Sequence, residues 1–271
     1  MQGQKNLVSI IVPCYNLARY LPDCINSVIQ QTYKYFECII VNDGSTDNTI
    51  DVAMRYVQLD SRIKLINIKN GGLSNARNVG IRSSSGEYLL PLDADDIIDE
   101  KYLELAVNVL DNNPNTEIVY CKAKYFGKRH GEFKLHPYSL EYILGNNCIF
   151  CSAFYRRVTY DKTSGYNSSM KYGFEDWDFW LSILELGGEV YKIDEVLFFY
   201  RQRHLSMRTR NVEKDRLRYT RKLIYENHKD LYSKHFFNPE YSLEYIHYAQ
   251  SPEYKLGKIL LFPIRKIYSW L

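Results

Sequence analysis

Asp93-x-Asp95, directly after the apolar run Tyr88–Leu92, is the residue pattern with the sharpest chemistry in this chain. Two carboxylates at i and i+2 beyond a buried strand can hold a divalent cation, Mg2+ or Mn2+, against a diphosphate. Both ions prefer oxygen ligands and keep positions open for phosphate. The other reading of these acids is a helix start, with carboxylates at the positive end of the macrodipole of a helix over Glu100–Leu110. A second acid-rich segment, Glu175-Asp176-Trp177-Asp178, leads a run of apolar residues and on local grounds also reads as a helix start. Cys148-x-x-Cys151 has no second cysteine pair near it, so ordinary packing is expected, with structural zinc or a redox role as the alternative.

These residues need elements to position them. Short apolar or β-branched runs at Val8–Val12, Cys38–Asn42, Ile63–Asn67, Tyr88–Leu92 and Ile118–Cys121 predict strands, the nearly continuous ones buried on both faces. Helical stretches lie between them, at Tyr20–Gln31, Asp47–Gln58, Asn75–Arg82 and Glu100–Leu110. Ser45-Thr46-Asp47 offers the second helix an N-cap and a first-turn acid. Alternating strand and helix predicts an α/β fold, a parallel sheet with helices on both sides. In such sheets ligands bind beyond the carboxyl ends of the strands. Three polar turns meet there: Pro13-Cys14-Tyr15-Asn16, Asn42-Asp43-Gly44-Ser45 and Asp93-Ala94-Asp95-Asp96. The first turn contains no glycine and no Walker A sequence is present, which argues against a bound nicotinamide cofactor and against a P-loop. Beyond residue 122 the pattern loosens. Lys122–Pro137 reads as a loop or hairpin, WDFWLSILELG as a helix ended by Gly187-Gly188, Val190–Arg201 as a last strand, and the chain from Val212 as mostly helical.

The succession VSIIVPCYN, IIVNDGSTDNT, NGGLSNARNVGI, YLLPLDADD and GFEDWDFWLSILELG, in this order, resembles the inverting family-2 glycosyltransferases of the GT-A fold. The resemblance runs over roughly residues 6–205. It implies a GT-A, Rossmann-like nucleotide-diphospho-sugar transferase domain at 1–205, with a nucleotide-binding half at about 1–121 and an acceptor half at about 122–205. A basic, mostly helical extension at 206–271 would follow.

Residue roles follow from the same resemblance. Asp176 matches the catalytic base, which an inverting transfer needs to deprotonate the acceptor hydroxyl opposite the leaving diphosphate. Asp43 matches the acid that accepts a hydrogen bond from the imide N–H of the nucleotide base, and locally it could equally form an Asx-turn. Tyr15 falls at the base-packing position, Pro13 is implied among the nucleotide-binding residues, and Arg77 matches a basic residue near the nucleotide, with a surface ion pair as its local alternative. Asp93 is implied at the ribose or a metal-bound water. Asp95 is implied as a direct metal ligand, joined by His204, while Arg201 and Arg203 are alternative partners for the diphosphate. Glu175 and Trp177 are implied at the acceptor, although core packing competes for Trp177 and Trp180. The implied activity is metal-dependent transfer of one sugar from a nucleotide-sugar, a UDP-sugar by the family pattern, to a glycan or lipid-linked acceptor in surface polysaccharide biosynthesis. No Q-x-x-R-W sequence of processive members occurs. The rival readings are a sugar nucleotidyltransferase, which would carry a glycine-rich basic loop after the first strand, and a non-catalytic relative that only binds nucleotide or glycan.

Charge adds a partner class. Residues 1–200 hold 20 Lys/Arg against 25 Asp/Glu, whereas residues 201–271 hold 15 against 7, within a net charge of +3. The basic end points to an anionic partner, and no nucleic-acid motif accompanies it. In YKLGKILLFPIRKIYSWL, residues 254–271, the apolar positions Leu256, Ile259, Leu260, Ile264 and Ile267 share one helical face, with Lys255, Lys258, Arg265 and Lys266 opposite. Such a segment suits peripheral contact with an anionic membrane, or docking on the protein itself. The longest uncharged stretch, Tyr142–Tyr155, is too short to span a bilayer, and no signal peptide is indicated. Six scattered cysteines read as free thiols in a reducing compartment. The expected location is cytoplasmic, against the inner face of the cell membrane.

Overall fold

The computed structural model describes residues 6–203 and 214–268. Contacts divide the chain into two compact units, residues 1–136 with 149–228 and residues 137–148 with 229–271. The sequence reading placed its single boundary after residue 205.

The first unit is built on a mixed sheet. Strands β1 (Val8–Cys14), β2 (Phe36–Asp43), β3 (Ile63–Ile68) and β4 (Tyr88–Pro91) pair in parallel in the order β3-β2-β1-β4. Every residue of β1 and β2 is buried, as expected of apolar runs covered on both faces, while the edge strand β3 is only partly covered. Helices α1 (Leu21–Ile29), α2 (Thr49–Leu59) and α3 (Leu73–Arg82) supply the crossovers. Asp47 works beside the start of α2 rather than as its cap: Asn48 is the N-cap, and the Asp47 carboxylate accepts bonds from the Thr49 amide and hydroxyl and from the Ala18 amide.

α3 lies close on the sheet because Gly80 has no side chain. A Cβ there would overlap the Ile11 side chain and meet Val41 Cγ2 at 3.0 Å. Gly44, at the turn after β2, has φ +72°, and a Cβ would come 2.8 Å from the Asn70 amide nitrogen.

Beyond β4 the sheet ceases to be parallel throughout, which strand and helix alternation did not predict. The short β5 (Ile97–Ile98) precedes α4 (Tyr102–Asn112), and the long β6 (Thr116–Gly127) turns back through β7 (Gly131–Phe133) as a hairpin. β8 (Phe154–Arg156) pairs antiparallel with both β4 and β6 and so bridges the two halves of the sheet. β9 (Glu189–Gln202) runs parallel to β6 and ends antiparallel to β5. α6 (Arg157–Tyr160) and α7 (Glu175–Glu185) fill the connection between β8 and β9. α8 (Lys214–Asn227) also belongs to this unit; its Ile224 and Thr220 are buried and Asn227 donates to Asp178 Oδ1 at 2.7 Å.

The second unit consists of α5 (Leu140–Gly145), α9 (Lys229–Lys234), a 3-10 turn at Pro239–Tyr241, α10 (Leu243–Gln250) and α11 (Pro252–Tyr268). Inside it Tyr232 donates to the Leu144 carbonyl at 2.7 Å, and Gly145 leaves no room for a Cβ against the Tyr241 backbone. None of the helices among the described residues is long and apolar enough to cross a membrane.

Candidate active site

Three turns at the carboxyl ends of β1, β2 and β4 come together, as the α/β pattern requires. The first two are laced to each other through Asn16, which holds a left-handed φ of 54°. Its side-chain oxygen accepts from the Thr46 amide at 2.7 Å, and its own amide donates to Ser45 Oγ at 2.9 Å. Pro13 is buried in β1, whereas Tyr15, just past the strand, is half exposed with its ring available to a ligand.

Asp43 is buried, and its two carboxylate oxygens accept from the backbone amides of Gly71 and Gly72 at 2.8 and 2.9 Å. Asn70 donates to its carbonyl oxygen at 2.9 Å. The carboxylate therefore fixes the Asn70-Gly71-Gly72 loop ahead of α3, and a carboxylate oxygen can accept a second bond besides each of these.

Arg77 departs most from its local reading. Its side chain is wholly buried instead of forming a surface ion pair. Nη2 donates to Asp93 Oδ1 and Nη1 to Glu175 Oε1, both at 2.8 Å, and the guanidinium lies over the Tyr166 ring. Glu175 is correspondingly buried.

Asp93, Asp96 and Cys151 each place a ligand atom within 4.8 Å of the others. Oδ2 of Asp96 is buried and has no hydrogen-bond partner among the described residues, while Oδ1 accepts from the Arg201 amide at 2.8 Å. Burial, then the neighbouring Asp95 and Asp93 charges, holds the Asp96 carboxyl well above the ordinary range. Two carboxylates, one with an orphaned buried oxygen, fit a divalent cation. Asp95, the ligand expected from sequence, faces an arginine: Arg203 Nε is 2.7 Å from its Oδ2. Burial raises the Asp95 carboxyl to about 6, helped by Asp93 and opposed by Arg203. Arg201 is anchored to Asp23 Oδ2 and the Asp95 carbonyl, both at 2.7 Å, over the rings of Phe126 and Tyr20. His204 lies outside the described residues.

Asp176 stands in the first turn of α7. The chain reaches it through Gly173 at φ 91° and Phe174 at φ 63°, a left-handed pair in which the phenyl ring packs edge-on against Trp177 at 5.6 Å. The Trp177 amide donates to Asp176 Oδ1 at 2.8 Å. Burial and the adjacent Glu175 push the Asp176 carboxyl up to about 7, against the pull of Arg77. Trp177 and Trp180 are both fully buried, Trp177 beneath the Arg221 guanidinium at 4.4 Å, so neither offers an open ring face for an acceptor sugar in this structure. All six cysteines are free thiols, Cys151 the least buried.

Asp96 and Cys151 were missed as site residues in the sequence. Asp96 was legible as the next acid of the Asp93-Ala94-Asp95-Asp96 turn; Cys151 was marked only as part of Cys148-x-x-Cys151, and nothing local ties it to the Asp93 turn, to which the fold brings it from 58 residues away.

The geometry agrees with what the chain is similar to. The model of the glycosyl transferase family 2 matches residues 9–175. An uncharacterized glycosyltransferase of Rickettsia typhi is 35% identical over 204 residues, covering 70% of this chain and 62% of that protein. The glycosyltransferase GlyA of Streptococcus pneumoniae is 44% identical over 97 residues, 36% of this chain and 14% of its own length. The chain thus spans less than two thirds of these curated relatives. Among solved structures, S. aureus TarS in complex with UDP-GlcNAc superposes with a TM-score of 0.68 at 20% identity, covering 90% of this chain and 73% of that one. The mannosyltransferase PcManGT from Pyrobaculum calidifontis, in complex with GDP-Man and Mn2+, gives 0.63 at 17% identity, covering 90% of this chain and 69% of that one. Motif order, sheet topology and the family match lead to one assignment: the chain belongs to glycosyl transferase family 2 and has the GT-A fold with additional helices at its C-terminus.

Proposed function

We propose that this chain transfers a single sugar, with inversion, from a nucleotide-diphosphate sugar of the UDP class to a glycan or lipid-linked acceptor. The observation that carries the reading is Asp176: a carboxyl raised to about 7, on the first turn of α7, joined through Glu175 and Arg77 to the Asp93 turn. A general base works best with a proton affinity near the operating pH. Asp176 takes the proton of the acceptor hydroxyl as that oxygen bonds to the anomeric carbon. The bond from that carbon to the diphosphate oxygen breaks, and the nucleoside diphosphate leaves with the electron pair. Asp43 accepts from the nucleotide base, Tyr15 and Pro13 pack against it, Asp93 serves the ribose side, and Glu175 lies toward the acceptor. A divalent cation, Mg2+ or Mn2+, held by the Asp93, Asp95 and Asp96 turn with His204, would neutralise charge on the leaving diphosphate. The UDP-GlcNAc held by TarS and the GDP-Man and Mn2+ held by PcManGT support a nucleotide-sugar donor and a divalent cation.

For the acceptor side, α11 leaves Leu256, Ile259, Leu260 and Leu261 exposed, beside exposed Lys255 and Lys258. Exposed apolar side chains flanked by lysines suit an anionic lipid surface, where a lipid-linked acceptor in surface polysaccharide assembly would be met.

The deciding experiment is nucleoside diphosphate release over a panel of UDP-, GDP- and TDP-sugars with candidate acceptors, with Mg2+, Mn2+ or EDTA. A UDP-sugar consumed only with metal is expected; a panel-wide absence of release, or formation of a sugar nucleotide from sugar phosphate, would reject the reading.

A further inference from the structure

We infer that Arg77 is a positioning residue that locks the Asp93 turn to the turn carrying Asp176, through Glu175, and does not itself touch the nucleotide. The inference rests on the transferase reading above. Sequence similarity places a basic residue beside the donor at this position, but the side chain has no solvent-open face. Its two terminal nitrogens are committed at 2.8 Å to carboxylates from different elements, Asp93 after β4 and Glu175 at the start of α7. The remaining nitrogen, Nε, is buried with no hydrogen-bond partner among the described residues, and the Tyr166 ring covers the guanidinium at 5.2 Å. A planar fork held by two carboxylates fixes distance and angle at once, which an ammonium on a flexible stem cannot do.

The consequence for Asp176 is electrostatic as well as geometric. Among the described residues, the charged or titratable groups acting on it include Glu175 on its own turn, Arg77 from α3, Asp93 from the turn after β4, and Cys151 ahead of β8. Among these described groups Arg77 supplies the positive charge. Without it, the Glu175 and Asp93 charges would weigh more heavily on Asp176, and the base would hold its proton at higher pH. Buried ion pairs broken on one side are strongly destabilising, so the Arg77→Met variant needs a charge-balanced companion, Arg77→Met with Glu175→Gln.

The test compares the wild type, Arg77→Met, Arg77→Lys and the double variant in three measurements. These are UDP affinity by calorimetry with Mn2+, kcat and KM with the donor the wild type uses, and the pH profile of kcat/KM. The expected result for Arg77→Met is UDP affinity within about fivefold of wild type, with kcat down by about tenfold or more. Its acid limb should move up by about half a pH unit or more. Arg77→Lys should return the limb toward wild type while kcat stays low, because the charge is back and the fork is not. The double variant should likewise keep the limb near wild type with kcat low; if Arg77→Met does not fold, this variant decides. A loss of UDP affinity of about twentyfold or more with kcat kept would make Arg77 a donor contact and overturn the inference. Folded variants with unchanged kcat and limb would overturn it too. If the wild type binds UDP yet transfers no sugar, the transferase reading fails separately, and the UDP affinity of Arg77→Met still decides whether Arg77 touches the nucleotide.

Discussion

Arg203 Nε lies 2.7 Å from Asp95 Oδ2, so the acid expected to bind metal directly has a cationic side chain against one of its oxygens. A metal bound there would compete with the arginine for that oxygen. The pair is partly solvent-exposed on the arginine side, and such ion pairs contribute about 0.2–1 kcal/mol. Arg203→Gln should therefore tighten Mn2+ binding by up to about fivefold in calorimetry without nucleotide. Weaker Mn2+ binding in that variant would show that Arg203 supports the site.

Asp176→Asn removes the proposed proton acceptor while keeping the shape of the turn. Turnover should fall by about 10²–10⁴-fold, with UDP affinity unchanged. In the wild type, the base must be ionised to act and its carboxyl is raised to about 7. The rate should thus fall about tenfold per pH unit below that value and level off above it. A profile flat from pH 5 to 8 would remove Asp176 from this role.

Asp43→Asn sets an amide where two backbone amides already donate. Its NH2 group would face a donor, leaving a buried N–H unpaired, at a cost of about 1–3 kcal/mol. The melting temperature should drop and UDP affinity should weaken together; an unchanged melting curve would show that the Gly71 and Gly72 amides find other acceptors.

His228, at the end of α8, has Nδ1 2.9 Å from Glu185 Oε1 and Nε2 3.3 Å from Asp178 Oδ1. Burial disfavours its charge, but Asp178 and Glu185 outweigh that, and its pKa is raised. A histidine raised on folding lends stability that is complete below its unfolded value of about 6.5 and is lost as pH climbs through the folded value. Urea midpoints should fall between pH 6 and 8, and the fall should be smaller in His228→Gln, the difference isolating this histidine from Asp176, whose raised carboxyl also costs stability as pH rises.

Ile259→Glu with Leu260→Glu places two charges on exposed positions of α11. Burying one such side chain in an apolar phase contributes about 1.5–3 kcal/mol, so co-sedimentation with anionic liposomes should fall by about tenfold or more. Equal binding by both proteins would remove α11 from membrane contact.

Much of this molecule is written in local pattern. β1 and β2 are continuous apolar runs because both faces are covered, and the three turns after β1, β2 and β4 follow from that. The two-way traffic of β8 and β9 is not local: Tyr88 pairs with Arg156, and Ile97 with Phe199, through contacts that no period encodes. Trp177 shows a related limit. Its type suits sugar stacking, but the side on which α7 packs is decided by β8, α8 and Arg221, all distant in sequence. Arg77 was closer to readable. It shares the helical stripe of Ser74, Gly80 and Ile81, all buried, and an arginine on such a stripe requires buried acids.

Gly80 turns a matter of helix spacing into one of reach. α3 can rest on Ile11 and Val41 only while that position lacks a Cβ. Arg77 stands one turn earlier on the same rigid helix, with both hydrogen bonds already at 2.8 Å and little slack. A single methyl at position 80 would act as a shim under the helix, lifting the fork away from Asp93 and Glu175. An alteration that touches neither sugar nor nucleotide would then be felt at the anomeric carbon.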